Sequence, residues 1–403
     1  MQNFELYNPV RVVFGPGKSK DLAAIVKGFG KKALIVSYES HDFFASLLSD
    51  TESALTAEGI GVLRFYHVQA NPLLSHIQAA VELCRAEQVD FVIGIGGGSV
   101  MDSTKVIAAG VHYEGELWKM FVSRHDQAVA VPPASSLPTV MVPTLPATSS
   151  EMNCIAVATN DQTLEKAYVW TPVIFPTVSV IDPALTKTLP AYQTAVGAVD
   201  AMSHVLEAYL NGDQHSPVQD RLHEGLLRAE MDELRAVLAN PEDVAHRANL
   251  QWAASLSWNG YLQSGLNAPT PMHQMGHVLS ALYNTTHGVT LAIFMDAYFR
   301  YTATLNAERS ARFALLGRHL FGIREENDVL AARMTVEAII AVMDEVGVPH
   351  TLRNAGIPAS DIEKIADEIV AHGCDANGFL PSLPPIGRDG IVKILHMAEG
   401  EKE

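Results

Sequence analysis

The run Phe91-Val92-Ile93-Gly94-Ile95-Gly96-Gly97-Gly98-Ser99 decides how the first half of this chain is built. Residues 91–95 are apolar and rich in strand formers, short enough for one buried strand. They pass without a break into three glycines and a serine, and residues 100–109 then read as a helix. A strand that ends in glycines and opens a helix lets backbone N–H groups and the positive helix end approach a pyrophosphate. The stretch is not a clean G-x-G-x-x-G, because Ser99 stands in the third glycine's place, and alone it fits a tight turn as well. Lys105 lies one turn further on, where it either approaches phosphate or faces solvent.

Outward from this run the same alternation continues. Residues 33–37, 139–144 and 178–183 read as strands, and residues 75–87 as an amphipathic helix. Strand–helix alternation implies a parallel sheet covered on both faces, with ligands beyond the carboxyl ends of its strands. From residue 191 the texture is helical: residues 195–211, 217–238, 243–261, 307–320 and 329–346 all read as helices. The expected fold is therefore a Rossmann-like α/β domain over residues 1–184, followed by an all-helical domain over residues 185–403.

The helical half carries a set of metal-ligand side chains. Asp200 and His204 are four residues apart, as are His273 and His277, and His287 follows ten residues later. Residues four apart share one helix face. Three imidazoles and a carboxylate suit a borderline divalent ion such as Fe²⁺ or Zn²⁺, with room left for a substrate oxygen. Each pair alone reads more simply as an ion pair or a structural contact; the order of the pairs behind a glycine loop favours chemistry on a carbonyl or an alcohol.

Composition bounds the remaining possibilities. The chain has 403 residues, a net charge of −17, 48% apolar and 18% charged residues. That charge argues against nucleic acid, whose phosphates need a basic face, and against an anionic membrane surface. The low charged content favours a sizeable subunit contact. Cys84, Cys154 and Cys374 are the only cysteines, scattered and without a CxxC. Neither a disulfide framework nor a cysteine metal site is expected, and a reducing cytoplasm fits. The N-terminus lacks the basic patch and apolar run of a signal peptide. Residues 127–150 carry no formal charge but contain five prolines, which argues against a membrane span.

Taken together, Gly96-Gly97-Gly98-Ser99-x-x-Asp102-x-x-Lys105 resembles the cofactor signature of the iron-containing (group III) alcohol dehydrogenases. Residues 143–153, with Thr144, Leu145-Pro146-Ala147 and Thr148, resemble that family's second nucleotide loop, in the version of its aldehyde reductase and butanol dehydrogenase branch. One departure stands in that loop: Ser149 occupies a position where many members have glycine. The resemblance implies a dehydroquinate synthase-like architecture, with Asp200, His204, His273 and His287 as metal ligands and His277 as a further active-site histidine. It implies that Gly97, Gly98 and Ser99 hold the pyrophosphate. Thr144 and Thr148 would lie near the phosphates and nicotinamide, Asp102 near the nicotinamide end, and Lys166 near the ribose hydroxyls. The reaction expected is hydride transfer between a nicotinamide and a small aldehyde or alcohol, with the ion polarising the oxygen. His277, one turn from His273, is the candidate proton relay.

Cofactor choice turns on Ser37-Tyr38-Glu39-Ser40-His41-Asp42. An acidic side chain after such a strand bonds the 2′-hydroxyl of NAD and repels the 2′-phosphate of NADP. Glu39 and Asp42 stand there without a basic neighbour, so NAD(H) is expected over NADP(H). The resemblance also favours a homodimer or larger homo-oligomer. Competing readings are another reaction on the same scaffold (a polyol or hydroxy-acid dehydrogenase, or a dehydroquinate synthase-like lyase) and a non-catalytic binding protein.

Overall fold

The computed structural model describes residues 1–39, 42–123, 129–212 and 216–400. Of the loop that bears on cofactor choice, Ser40 and His41 lie outside the described residues. The chain divides into two compact units, residues 7–190 with 240–260, and residues 1–6 with 191–239 and 261–403.

The first unit is built on strands β1 (Arg11–Phe14), β2 (Lys32–Tyr38), β3 (Gly61–Val68), β4 (Phe91–Gly96), β5 (Thr139–Pro143) and β8 (Val178–Ile181). They form one sheet in the order β1-β8-β5-β4-β2-β3, every pair parallel. Helices α1 (Leu22–Ile25), α2 (Ala45–Ala57), α3 (Leu74–Glu87) and α4 (Gly98–Gly110) connect the strands. Successive side chains on a strand point to opposite faces. Accordingly Ala33, Ile35, Phe91, Ile93 and Ile95 pack with Leu22, Leu48 and Leu55 of α1 and α2. Leu34, Val36 and Val92 enter the opposite core with Ile77, Val81 and Val106 of α3 and α4. Burial on both faces is why β2 and β4 read as continuous apolar runs.

Strands β1 and β3 and the antiparallel hairpin β6 (Ile155–Asn160) and β7 (Glu165–Trp170) were not expected from the sequence. β1 and β3 are the sheet edges. An edge strand need not be apolar throughout, and β3 carries Arg64 and His67.

Helix α7 (Val244–Ser257) belongs to the first unit rather than to the helical one, so a single cut at residue 184 does not reproduce the packing. The physical reason lies in the loop after β5. Buried Glu151 accepts from the Ser255 hydroxyl and the Gln251 amide of α7. The Ser149 hydroxyl donates to the Ala254 carbonyl and accepts from the Trp258 N–H at 2.9 Å.

The second unit contains α5 (Ala191–Asn211), α6 (Pro217–Ala239), α8 (Pro271–Tyr283), α9 (His287–Thr302), α10 (Ala307–Leu320), α11 (Asp328–Val346), α12 (Ile362–Gly373) and α13 (Arg388–Ala398). α5 is buried along nearly its whole length, which makes it the central helix of this unit. No helix among the described residues is long and apolar enough to cross a membrane.

Candidate active site

In the first unit, the strand order places β4 between β5 and β2. The chain runs from β2 outward to β3 and then returns to β4 on the other side, so the order reverses between β2 and β4. Ligands of open α/β sheets bind beyond the strand carboxyl ends at such a reversal. Tyr38 and Glu39 close β2 there, Gly96-Gly97-Gly98-Ser99 follow β4, and Thr144 follows β5 with its N–H on the Gly96 carbonyl at 3.0 Å. Glu39 is exposed at the end of β2.

The glycine loop is tightly enclosed. A Cβ at Gly98 would stand 2.6 Å from the Thr148 methyl and 2.9 Å from its hydroxyl, so the two nucleotide loops close on each other only because position 98 has no side chain. Tyr38, which the sequence reading did not single out, accepts from the Gly97 N–H at 3.2 Å. Its burial pushes the phenol up to about 12.

Asp102 and Lys105 of α4 are both held by hydrogen bonds within the protein. Lys105 neither faces solvent nor reaches into open space for a phosphate. It is fully buried, and its ammonium donates to Ser150 Oγ and Asn153 Oδ1, both at 2.9 Å, and to the Ile155 carbonyl at 2.7 Å. Burial pushes it down to about 8, against the opposing pull of Asp102. Asp102 accepts from Ser150 Oγ at 2.6 Å and the Val157 N–H at 2.9 Å. The Asp-x-x-Lys pair of α4 thus fastens the second loop and the start of β6. Ser99 Oγ donates to the Ala70 carbonyl, and Lys166 Nζ donates to Asn71 Oδ1 at 3.1 Å. Ser149 sits at φ 54°, in the left-handed region that glycine adopts without strain. Its hydrogen bonds to α7 offset that strain, which accounts for the tolerated departure.

In the second unit, α5 presents Asp200 and His204 one turn apart, with Asp200 Oδ1 3.8 Å from His204 Nδ1. α8 presents His273 and His277, and His287 is the first residue of α9. Ligand atoms of Asp200, His204 and His273 all lie within 4.8 Å of one another. The His204 and His273 rings are 4.6 Å apart, and His287 is 5.5 Å from both His273 and His277. His287 Nε2 comes to 4.0 Å from Asp200 Oδ1. All five side chains expected from the sequence are therefore gathered at one place on three helices. Gly288 makes this possible: a Cβ there would lie 2.4 Å from the Val196 carbonyl and 3.3 Å from Asp200 Cβ. α9 can begin against α5 only without that atom.

The electrostatics suit a cation. Asp200 and His204 are almost fully buried. Burial, with His273 nearby, holds His204 well below the usual imidazole range, so it stays neutral and keeps a lone pair for a ligand bond. Asp200, His204 and His273, with His287 Nε2 4.0 Å from Asp200, are a donor set of three imidazoles and a carboxylate that a borderline divalent ion fits. One further carboxylate escaped the sequence reading. Glu207, fully buried on α5, accepts from the Met272 N–H at 2.6 Å and is in hydrogen-bond contact with His273 Nδ1. Burial raises its carboxyl well above the usual range.

Comparison with known proteins agrees with both halves. The family model described as iron-containing alcohol dehydrogenase matches residues 9–183, and that of the family's C-terminal region matches residues 194–398. NADH-dependent butanol dehydrogenase A of Clostridium acetobutylicum is 35% identical over 397 residues, which cover 98% of this chain and 99% of that protein. NADPH-dependent aldehyde reductase YqhD of Escherichia coli is 31% identical over 93% of this chain and 94% of its own length. The crystal structure of NADH-dependent butanol dehydrogenase A from Thermotoga maritima superposes with a TM-score of 0.91 at 35% identity, covering 99% of each chain. With both halves matched in order and relatives aligned end to end, the chain belongs to the iron-containing alcohol dehydrogenase family.

Proposed function

We propose that this protein reduces small aldehydes to alcohols, and oxidises such alcohols in reverse, with a nicotinamide cofactor and a divalent metal ion. The observation that carries the reading is the cluster of buried Asp200 and His204 with half-buried His273, and His287 and His277 beside it. The metal, when bound, supplies a Lewis acid for the substrate oxygen, and the nicotinamide supplies or takes up the hydride. The chain's own residues do the rest. Asp200, His204, His273 and His287 hold the ion, taken here as Fe²⁺ or Zn²⁺. His277 carries a proton between the substrate oxygen and solvent. Gly96, Gly97, Gly98 and Ser99 cradle the pyrophosphate at the start of α4. Thr144 and Thr148 approach the phosphates and nicotinamide, Lys166 the ribose hydroxyls, and Asp102 the nicotinamide end, where it also keeps the second loop in place.

NAD(H) is the cofactor we favour, supported by exposed Glu39 at the end of β2 and by relatives named as NADH-dependent butanol dehydrogenases. The NADPH-dependent aldehyde reductase is the more distant of the two named relatives, which fits this choice. The exposed edge strand β1 and the low charged content support a homodimer or larger homo-oligomer, and the scattered cysteines support a cytoplasmic setting. A nucleotide-binding part over residues 1–184 and a helical, metal-binding part over residues 185–403 is the functional division we favour, supported by family models that match residues 9–183 and 194–398. One experiment tests the main reading: initial rates with a panel of short aldehydes, NADH against NADPH, before and after loading with Fe²⁺ or Zn²⁺. Metal-stimulated, NADH-preferring turnover is expected. A full panel without turnover under any metal would overturn it.

A further inference from the structure

We propose that Glu207 is a positioning residue that sets the tautomer of His273 and so decides whether that imidazole can bind a metal, an inference that rests on the metal reading above. Asp200, His204 and Glu207 fall at i, i+4 and i+7 on α5 and share one face. The first two point at the candidate site, and the third reaches the beginning of α8. There its two oxygens do separate jobs. Oε1 accepts from the Met272 N–H at 2.6 Å, and Oε2 is in hydrogen-bond contact with His273 Nδ1; as a carboxylate it can only accept, so the proton of that contact belongs to Nδ1.

The first contact supplies what α8 lacks locally. Thr270 is its N-cap but makes no side-chain cap hydrogen bond, and Pro271 begins the helix. The first turn of a helix leaves N–H groups without intrahelical acceptors, and a carboxylate there is favoured by the helix dipole. Glu207 fills that place from another helix, which fixes the rotation of α8 and with it the directions of His273 and His277. The second contact fixes the proton. An imidazole that donates from Nδ1 keeps its lone pair on Nε2, and a carboxylate behind a ligating histidine orients the ring and raises its basicity.

Glutamine separates the two jobs. In Glu207→Gln the amide oxygen can still accept from Met272, but the amide nitrogen then faces His273 Nδ1. That nitrogen can only donate. His273 would have to carry its proton on Nε2, where the ligand bond should form. Turning the amide around only moves the conflict to the Met272 N–H.

The test uses metal-stripped full-length protein titrated with Co²⁺, followed by its visible ligand-field absorption and by competition with a chelator. Glu207→Gln should bind Co²⁺ 10–100-fold more weakly, the usual scale for a residue behind a ligand. Its saturated spectrum should change as one imidazole is lost. A double variant that adds Thr270→Asp gives α8 a cap of its own. Its affinity should stay low even where the single variant folds poorly. Full recovery of affinity in the double variant would make Glu207 a helix cap only and overturn the proposal. Parent-like affinity and spectrum in Glu207→Gln would overturn it too. The parent and His204→Ala run alongside: a parent that takes up no Co²⁺ overturns the metal reading itself, and the inference with it.

Discussion

At the scale of single residues, the proposed function assigns different tasks, ligand and proton relay, to imidazoles only 5.5–6.4 Å apart. His273→Ala removes a ligand and should lower metal content and turnover together; stoichiometric metal with normal turnover would contradict the assignment. His277→Ala should keep metal and cofactor affinity but lower kcat by about 10²-fold, the usual scale for an acid–base group. The basic limb of its pH–rate profile should change shape, which steady-state rates across pH will show. On the nucleotide side, Glu39→Gly should move preference toward NADPH by about tenfold in kcat/KM, worth about 1.4 kcal/mol. A parent that already prefers NADPH tenfold would reverse that argument. The pairs Asp200 with His204 and His273 with His277 were legible as neighbours because spacing along a helix is written in the sequence; His287, which opens the next helix, stood out only as a nearby third imidazole. Glu207 was not, because its partner is 66 positions away and nothing local announces the contact. Lys105 misled for a related reason: a lysine beside a phosphate loop suggests a phosphate, and only the folded loop reveals Ser150, Asn153 and Ile155 as its acceptors.

At the scale of elements, legibility followed burial. β2, β4 and β5 are buried almost throughout and read directly as apolar runs, whereas the half-exposed edges β1 and β3 gave no such run. The β6–β7 hairpin lies outside the main sheet and includes Thr159, Asn160, Glu165 and Lys166, so its pattern carries little apolar signal. Helix bounds were recovered to within a few residues where capping was local, as for α11, whose Asn327 side chain accepts from Val329 and Leu330 N–H groups. The contact between α5 and α9 rests on Gly288. Gly288→Ala must push the start of α9 away from the Val196 carbonyl. Overpacking of this kind costs about 1–3 kcal/mol. Thermal unfolding should record the loss, and metal affinity should fall with it as His287 moves from Asp200. An unchanged melting temperature would mean that α9 shifts freely.

At the scale of the whole molecule, one buried carboxyl links stability to pH. Glu230 on α6 is fully buried and finds no hydrogen-bond partner among the described residues. Burial holds its carboxyl well above the usual range. In the unfolded chain it ionises near pH 4.3 (roughly the model-peptide value). The folded protein therefore keeps a proton that the unfolded chain releases. This site's contribution is intact below about pH 4.3 and is lost as pH rises toward the folded-state value. Glu230→Met keeps the shape and removes the charge. Its melting temperature should exceed the parent's by more at pH 8 than at pH 5; an equal difference at both would exclude the linkage. The placement of α7 has a different consequence, for synthesis. The chain leaves the nucleotide unit at residue 190, builds α5 and α6, and returns for residues 240–260 before leaving again. A ribosome delivering about 5–20 residues per second needs roughly 4–14 s to add those 70 residues. Until then Glu151 and Ser149 wait without the α7 groups that satisfy them, so the loop after β5 cannot complete its contacts before part of the helical unit has already emerged.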